Sequence, residues 1–266
     1  MRRTFTFLGS GSSVGVPMVG CACPTCTSSN PKNQRWRCSV VLGLPGGNLL
    51  IDATPELRLQ LLRAQVKLIH AVLLTHYHAD HLYGLDDVRV FPHRLGGPLP
   101  LYCSEETEAQ VRRIFAYAFV DEEERDASLP PARPASFVPR LTFERIEELR
   151  PFGVLGEEVL PLPLEHAQYN VLGFRIGNVA YCTDVSHIPP RSMDRLRGLD
   201  VLVLDALRQK PHPAHLSINQ ALEVVAALKP RLTWLTHMSH DVEHEAVEAQ
   251  LPTGVRLAYD GLSFEF

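Results

Sequence analysis

The sequence lacks a membrane-spanning run, an export signal and any large excess of charge. No stretch reaches the ~18 consecutive apolar residues of a spanning helix. Met1-Arg2-Arg3 is followed by a short Thr/Phe segment and a Gly/Ser run, with no apolar core of signal-peptide length. These absences predict a cytoplasmic protein with no membrane partner. Lys and Arg number 26 against 30 Asp and Glu, a net charge of −4. Basic residues do not cluster, so there is no global footprint for nucleic acid. Internal repeats and long low-complexity tracts are also missing. At 266 residues, 45% apolar and 21% charged, the chain buries a core without disulfide staples. Its six cysteines are ordinary in number but not in placement, because Cys21, Cys23 and Cys26 crowd together. Without an export signal, that spacing reads as a metal site before it reads as disulfides.

Short strand patterns alternate with helical ones. Residues 4–8, 39–44 and 48–53 read as strands, the last two joined by a turn at Pro45-Gly46-Gly47. A helix is expected over 56–64. The apolar run Ala71-Val72-Leu73-Leu74 then reads as a strand buried on both faces. Further on, 105–119 is helical, 157–164, 171–176 and 178–183 are short strands, and 200–205 is another buried strand. Ser217-Ile218-Asn219-Gln220 opens a helix over 217–229 with a capping-box pattern, and 231–236 is a strand. Alternation of this kind implies sheets covered by helices. Residues 121–140 carry an acidic cluster and four prolines. Strands resume beyond them, so 105–140 reads as a lid-like insertion in a single domain spanning 1–266.

The chemistry concentrates in Thr75-His76-Tyr77-His78-Ala79-Asp80-His81, directly after a buried strand. Imidazole and carboxylate together suit zinc, manganese or iron. His76 and His78 alternate along an extended segment, while Asp80 and His81 point elsewhere, as two adjacent metals require. His166, Asp184 and His237 each stand at the end of an expected strand, where one sheet rim could gather them. Taken singly, each has the ordinary reading of a residue that ends a strand and caps a loop. Asp52 ends 48–51 in the same way and is a candidate to orient a ligating histidine.

The order Asp52, THYHADH (75–81), His166, Asp184 and His237 resembles the signature motifs of the metallo-β-lactamase superfamily along essentially the whole chain. The resemblance implies a layered α/β fold, a four-layer αββα sandwich with two divalent metals, manganese or zinc, at one edge. It implies His76, His78 and His166 on one metal, Asp80, His81 and His237 on the other, and Asp184 bridging. Two such ions share a water and lower its pKa towards ~7, so that Asp80 and its neighbours serve hydrolysis.

The thiols Cys21, Cys23 and Cys26 need a fourth partner for a tetrahedral structural zinc. By chain proximity His240 is one candidate and Cys38 the other. The segments LGSGSSVGVP (8–17), LIDA (50–53), PLPLEH (161–166), THMSH (236–240) and YDG (259–261) are similar to those of the PhnP-type phosphodiesterase branch. In that branch the second histidine of THxSH completes the zinc site, which favours His240. The same resemblance implies a small or cyclic phosphodiester as substrate. It also implies a histidine before the penultimate helix that contacts phosphate or protonates the leaving oxygen, here His215, with His212 as its rival. It leaves room for a homodimer. His70, His93, His187 and His244 carry no motif and read as surface or satisfied core residues.

Two other functions share these motifs. One is nucleic-acid processing of the tRNA 3′-endonuclease type, but too few residues separate His166 from Asp184 for a tRNA-gripping arm, and the charge argues against it. The other is a cofactor-biosynthesis protein like the pyrroloquinoline quinone factor, which carries a similar cysteine cluster.

Overall fold

The computed structural model describes residues 3–119 and 138–266. Most of the expected loop 121–140 lies outside the described residues. The chain builds two seven-stranded sheets in succession. The first has the order β14-β1-β2-β3-β4-β5-β6, made of β1 (Thr4–Gly9), β2 (Ser39–Leu44), β3 (Gly47–Ile51), β4 (Ala71–Leu73), β5 (Leu99–Cys103), β6 (Leu141–Arg145) and the returning β14 (Ser263–Glu265). The second has the order β13-β12-β11-β10-β9-β8-β7, made of β7 (Phe152–Val154), β8 (Glu157–His166), β9 (Tyr169–Ile176), β10 (Val179–Cys182), β11 (Val201–Asp205), β12 (Leu232–Thr236) and β13 (Val255–Leu257).

Each sheet has an antiparallel half and a parallel half. Strands β1, β2 and β3 pair antiparallel, and β3 to β6 run parallel. In the second sheet β7 to β10 pair antiparallel and β10 to β13 run parallel. Parallel neighbours require crossovers, and the helices supply them: α1 (Leu57–Arg63), α2 (Ala79–Leu82), α3 (Phe91–Leu95) and α4 (Glu105–Ile114) on one sheet, α5 (Pro190–Arg195), α6 (Ile218–Leu228) and α7 (His244–Glu248) on the other.

Side-chain alternation makes the layers. In β3, Leu49 and Ile51 face the other sheet while Leu50 joins the helix side. In β11, Val201 and Val203 face inward while Leu202 and Leu204 meet the outer helices. Phe5, Phe7, Val40 and Leu73 of the first sheet pack with Phe174, Tyr181 and Trp234 of the second. The outer clusters set Leu57, Leu61, Phe91 and Val111 on the first sheet, and Leu196, Ile218, Leu228 and Val247 on the second. The result is the expected αββα sandwich. Both faces of each sheet are covered, and this explains the continuous apolar runs at 71–74 and 201–204.

Expected and observed elements differ mainly at their ends. The helix expected over 105–119 stops at Ile114 and continues as a 3-10 turn over Ala116–Ala118. Ser104 caps its start, with three glutamates in its first turn and two arginines in its last, as the helix dipole favours. The capping box at Ser217 and Gln220 is present. Strand β8 runs two residues further than expected and carries His166 within it. Among the described residues no helix is long and apolar enough to cross a membrane.

Candidate metal centre

Strand ends build the site. Asp52 follows β3, Thr75 and His76 follow β4, Asp184 follows β10, Asp205 ends β11 and His237 follows β12. All lie at the carboxyl ends of parallel strands, where open α/β sheets place their ligands. Asp52, Asp184 and His237 also take left-handed backbone, with φ of 65°, 54° and 60°. That conformation costs non-glycine residues free energy and persists only where the surroundings impose it.

Thr75 and Asp52 prepare the first imidazoles. The Asp52 carboxylate accepts from the Thr75 amide at 2.8 Å, from its hydroxyl at 2.9 Å and from His81 Nδ1 at 2.8 Å. A hydroxyl has one hydrogen, and this one is given to the carboxylate. Thr75 Oγ1 therefore accepts from His76 Nδ1, 2.9 Å away. His166 gives its Nδ1 hydrogen to the carbonyl of Ala214 at 2.7 Å. Three rings are thus fixed with Nε2 turned away from their supports. Asp52, expected to orient a ligating histidine, has His81 as its imidazole partner.

The free nitrogens converge. One ligand atom from each of His76, His78 and His166 lies within 4.8 Å of the others, and the same holds for Asp80, His81, Asp184 and His237. Nitrogens bound at ~2.0–2.1 Å to one ion stand about 3–4 Å apart, so little movement is needed. Asp184 joins the groups, with Oδ1 3.3 Å from His237 Nε2 and 3.9 Å from His166 Nε2. The Nε2 atoms of His76, His81 and His237 are buried and have no hydrogen-bond partner. For His81 this holds although Asp184 Oδ2 is 3.0 Å away, because the approach is not that of a hydrogen bond. Orphaned buried nitrogens are costly, and a cation removes the cost. The residues present fit a pair of divalent ions.

The charges agree with this. Burial would raise the pKa values of Asp80 and Asp184, but His81 and His237 hold both carboxyls well below the usual range. Burial would lower His237, yet Asp184, Asp80 and Asp205 lift it to about 9. His81 is raised in the same way by Asp184, Asp80 and Asp52. Protons therefore sit where cations would. His76, His78 and His166 are lowered, chiefly by burial, and remain neutral donors of a lone pair.

Asp80 and His81 leave the extended segment that carries His76 and His78. They lie in the four-residue helix α2, with His78 at its N-cap, and the turn of helix separates them from His76 and His78. The sequence reading also passed over Asp205. This buried carboxylate accepts from the Val185 amide at 3.0 Å, the Leu216 amide at 3.3 Å and His215 Nδ1 at 3.1 Å. Its signal was available, since an aspartate ends the Val-Leu-Val-Leu run just as Asp52 and Asp184 end theirs. His215 is buried, its ring 4.6 Å from both His166 and His237. His212 lies one ring further out, at 5.2 Å from His215.

A second cluster stands nearby. Cys21, Cys23, Cys26 and His240 bring their ligand atoms within 4.8 Å of one another. His240 Nδ1 lies 3.2 Å from Cys21 Sγ and 3.4 Å from Cys23 Sγ. The Cys26 amide and His240 lower Cys23 to about 6, while burial pushes Cys26 up to about 11. Cys38 is not part of this cluster. It lies buried between the sheets against Tyr181 Oη and Thr236 Oγ1, at 3.3 and 3.2 Å. The loop 237–240 is clamped between segments, Ser12 N bonding Met238 O at 3.1 Å and Ser239 N bonding Leu207 O at 2.9 Å. Of the unassigned histidines, His70 is satisfied through Asn48 and His93 is exposed. His187 is exposed as well. His244 departs from expectation, being buried with Nδ1 unpartnered.

Comparison with known proteins fits this geometry. A family model described as "Beta-lactamase superfamily domain" matches residues 47–238. The chain belongs to the metallo-β-lactamase superfamily. Within it, a solved structure described as a new diphosphatase from the PhnP family is 43% identical, with a TM-score of 0.90 over 100% of this chain and 98% of that one. An octanoyltransferase from Porphyromonas gingivalis is 34% identical over 96% of this chain but only 50% of its own length, so the chain spans half of that protein. Zinc-bound PqqB from Methylobacterium extorquens shares the fold, at a TM-score of 0.78 and 20% identity over 99% of this chain and 100% of that one. The superfamily fold implies a hydrolase that binds divalent metal.

Proposed function

We propose that the chain is one hydrolase domain that cleaves P–O bonds in small phosphodiesters or diphosphates with two divalent ions, manganese or zinc. His76, His78 and His166 would hold one ion, and Asp80, His81 and His237 the other, with Asp184 shared. Cys21, Cys23, Cys26 and His240 would hold a structural zinc. One observation carries the reading: three buried Nε2 atoms without partners face the two carboxylates held ionised, Asp80 and the shared Asp184. The 43% identity to a PhnP-family diphosphatase supports phosphorus as the centre attacked.

The ions would supply Lewis-acid charge and lower the pKa of a water towards ~7. The chain's residues do the rest. Asp52 and Thr75 lock His81 and His76 in the tautomer that presents Nε2. Asp205 holds His215 by Nδ1, so that Nε2, once protonated, would give its hydrogen to the leaving oxygen. The left-handed turns at Asp184 and His237 aim both side chains back over the sheet rim.

A second reading, hydrolysis of an acyl thioester, is favoured by the octanoyltransferase relative. Purified protein with manganese or zinc is therefore assayed on bis-p-nitrophenyl phosphate, 2′,3′-cyclic nucleotides, a dinucleoside diphosphate, pre-tRNA, nitrocefin and octanoyl and glutathione thioesters. Turnover of phosphorus substrates other than pre-tRNA, abolished by chelator, is expected. Turnover confined to thioesters or pre-tRNA overturns the proposal.

A further inference from the structure

Two imidazoles on the loop between β11 and α6 are fixed in opposite tautomers. His215 donates Nδ1–H to Asp205, so its neutral ring has a bare Nε2. His212 does the reverse: the Ala214 amide, which can only donate, gives its hydrogen to His212 Nδ1 at 3.2 Å. The neutral His212 ring therefore carries its hydrogen on Nε2. With Nδ1 turned to its own loop, Nε2 faces away from it, and no group among the described residues partners that nitrogen.

Ala214 serves both sides of the site. Its amide fixes His212 and its carbonyl accepts from His166 Nδ1 at 2.7 Å. A single residue thus holds a candidate metal ligand and the outer imidazole in register. Going outward from the metal cluster the order is His166 and His237, then His215, then His212. Burial, helped by His215 and Arg208, lowers the proton affinity of His212, so the ring stays a neutral N–H donor. Arg208 is tied to the same loop, donating from Nε to Lys210 O and from Nη2 to Pro211 O, each at 3.3 Å. The loop therefore carries the His212 donor and, tied to it, the Arg208 guanidinium. A simple diester has no group to meet them, whereas a diphosphate has a second anionic phosphoryl.

We propose that His212 is a specificity-determining residue that donates Nε2–H to the second, non-reacting phosphoryl of the substrate, so that this site prefers diphosphates to simple diesters. The inference rests on the hydrolase reading above. The test compares wild type and His212→Ala, loaded with manganese, on diadenosine diphosphate and on bis-p-nitrophenyl phosphate, which has no second phosphoryl. Loss of one hydrogen bond to a charged oxygen should raise KM for the diphosphate about tenfold or more, with kcat little changed. KM for bis-p-nitrophenyl phosphate should stay within about twofold, because no bond to it is lost. Calorimetric binding of α,β-methylene-ADP should weaken by the same factor, and His212→Gln, which keeps a side-chain N–H, should recover part of the loss. Equal effects on both substrates, or none on the diphosphate, would overturn the proposal and leave the hydrolase reading standing. Failure of wild type to turn over either substrate would overturn both.

Discussion

The two candidate metal clusters stand three residues apart on one loop, at His237 and His240, and they are built in opposite ways. The thiolate cluster takes three ligands from six neighbouring residues and is half-exposed, with Cys26 alone buried. The histidine-carboxylate cluster gathers its atoms from four distant segments, most of them fully buried, and leaves several without partners. The first can satisfy itself with water if its ion is lost. The second cannot, so its protons and strained backbone are set by the fold around it. A local cluster ties segments together, while a distributed one depends on segments already in place.

The sharpest break in that comparison is Asp184→Ala. It removes the carboxylate that both groups share, and phosphodiester or diphosphate turnover should fall at least about 10³-fold, a loss at the upper end for one preorganised group. Alanine keeps the Cβ that strains the backbone at φ 54°, so the melting temperature should fall only by what the lost carboxylate contacts contribute, less than for the thiolate variant below. Cys23→Ser should do the opposite. Structural zinc is coupled to folding, so a fall of about 10 °C or loss of soluble protein is expected in thermal melts, with turnover per folded molecule kept within a few-fold. If Cys23→Ser melts like wild type with full zinc content, the division of labour is wrong.

Much of this contrast was legible in the sequence, for a physical reason. Ligands that follow buried parallel strands announce themselves as a charge after an apolar run, so Asp52, His76, Asp184 and His237 stood out. Asp205 obeys the same rule and was passed over, because no motif reinforced it. Elements too short to hold a period were illegible. The edge strands β7, β13 and β14 have three residues each, and α2 has four. The tautomers were hidden as well, since they depend on Thr75 Oγ1, Ala214 O and Asp205, groups that meet their histidines only through tertiary packing or an unremarkable neighbour.

Smaller effects sharpen the comparison. Asn tolerates left-handed backbone, so Asp52→Asn spares the turn at φ 65° but weakens the support of His81. Affinity of the buried cluster for metal should drop about 10–100-fold in a competition titration, while zinc held by the thiols stays put. The smallest expected effect is a pH dependence. Burial, together with Arg35 and Lys32, depresses His244 to about 4 from an unfolded value near 6.5. The native state then binds fewer protons than the unfolded state in that window, so stability is complete above pH 6.5 and is lost as pH falls towards 4. The loss is of order 1–3 kcal/mol. Denaturant midpoints from pH 7 to pH 4 should show it, and His244→Phe should flatten the slope.

The most direct measurement is the metal content of the purified protein, set beside that of Asp184→Ala and Cys23→Ser. Two ions in the buried cluster and one among the thiols are predicted for wild type, with Asp184→Ala keeping the thiol-bound ion and losing at least one of the others. A wild-type protein that turns over substrate with a single ion, removed entirely by Cys23→Ser, would contradict the account.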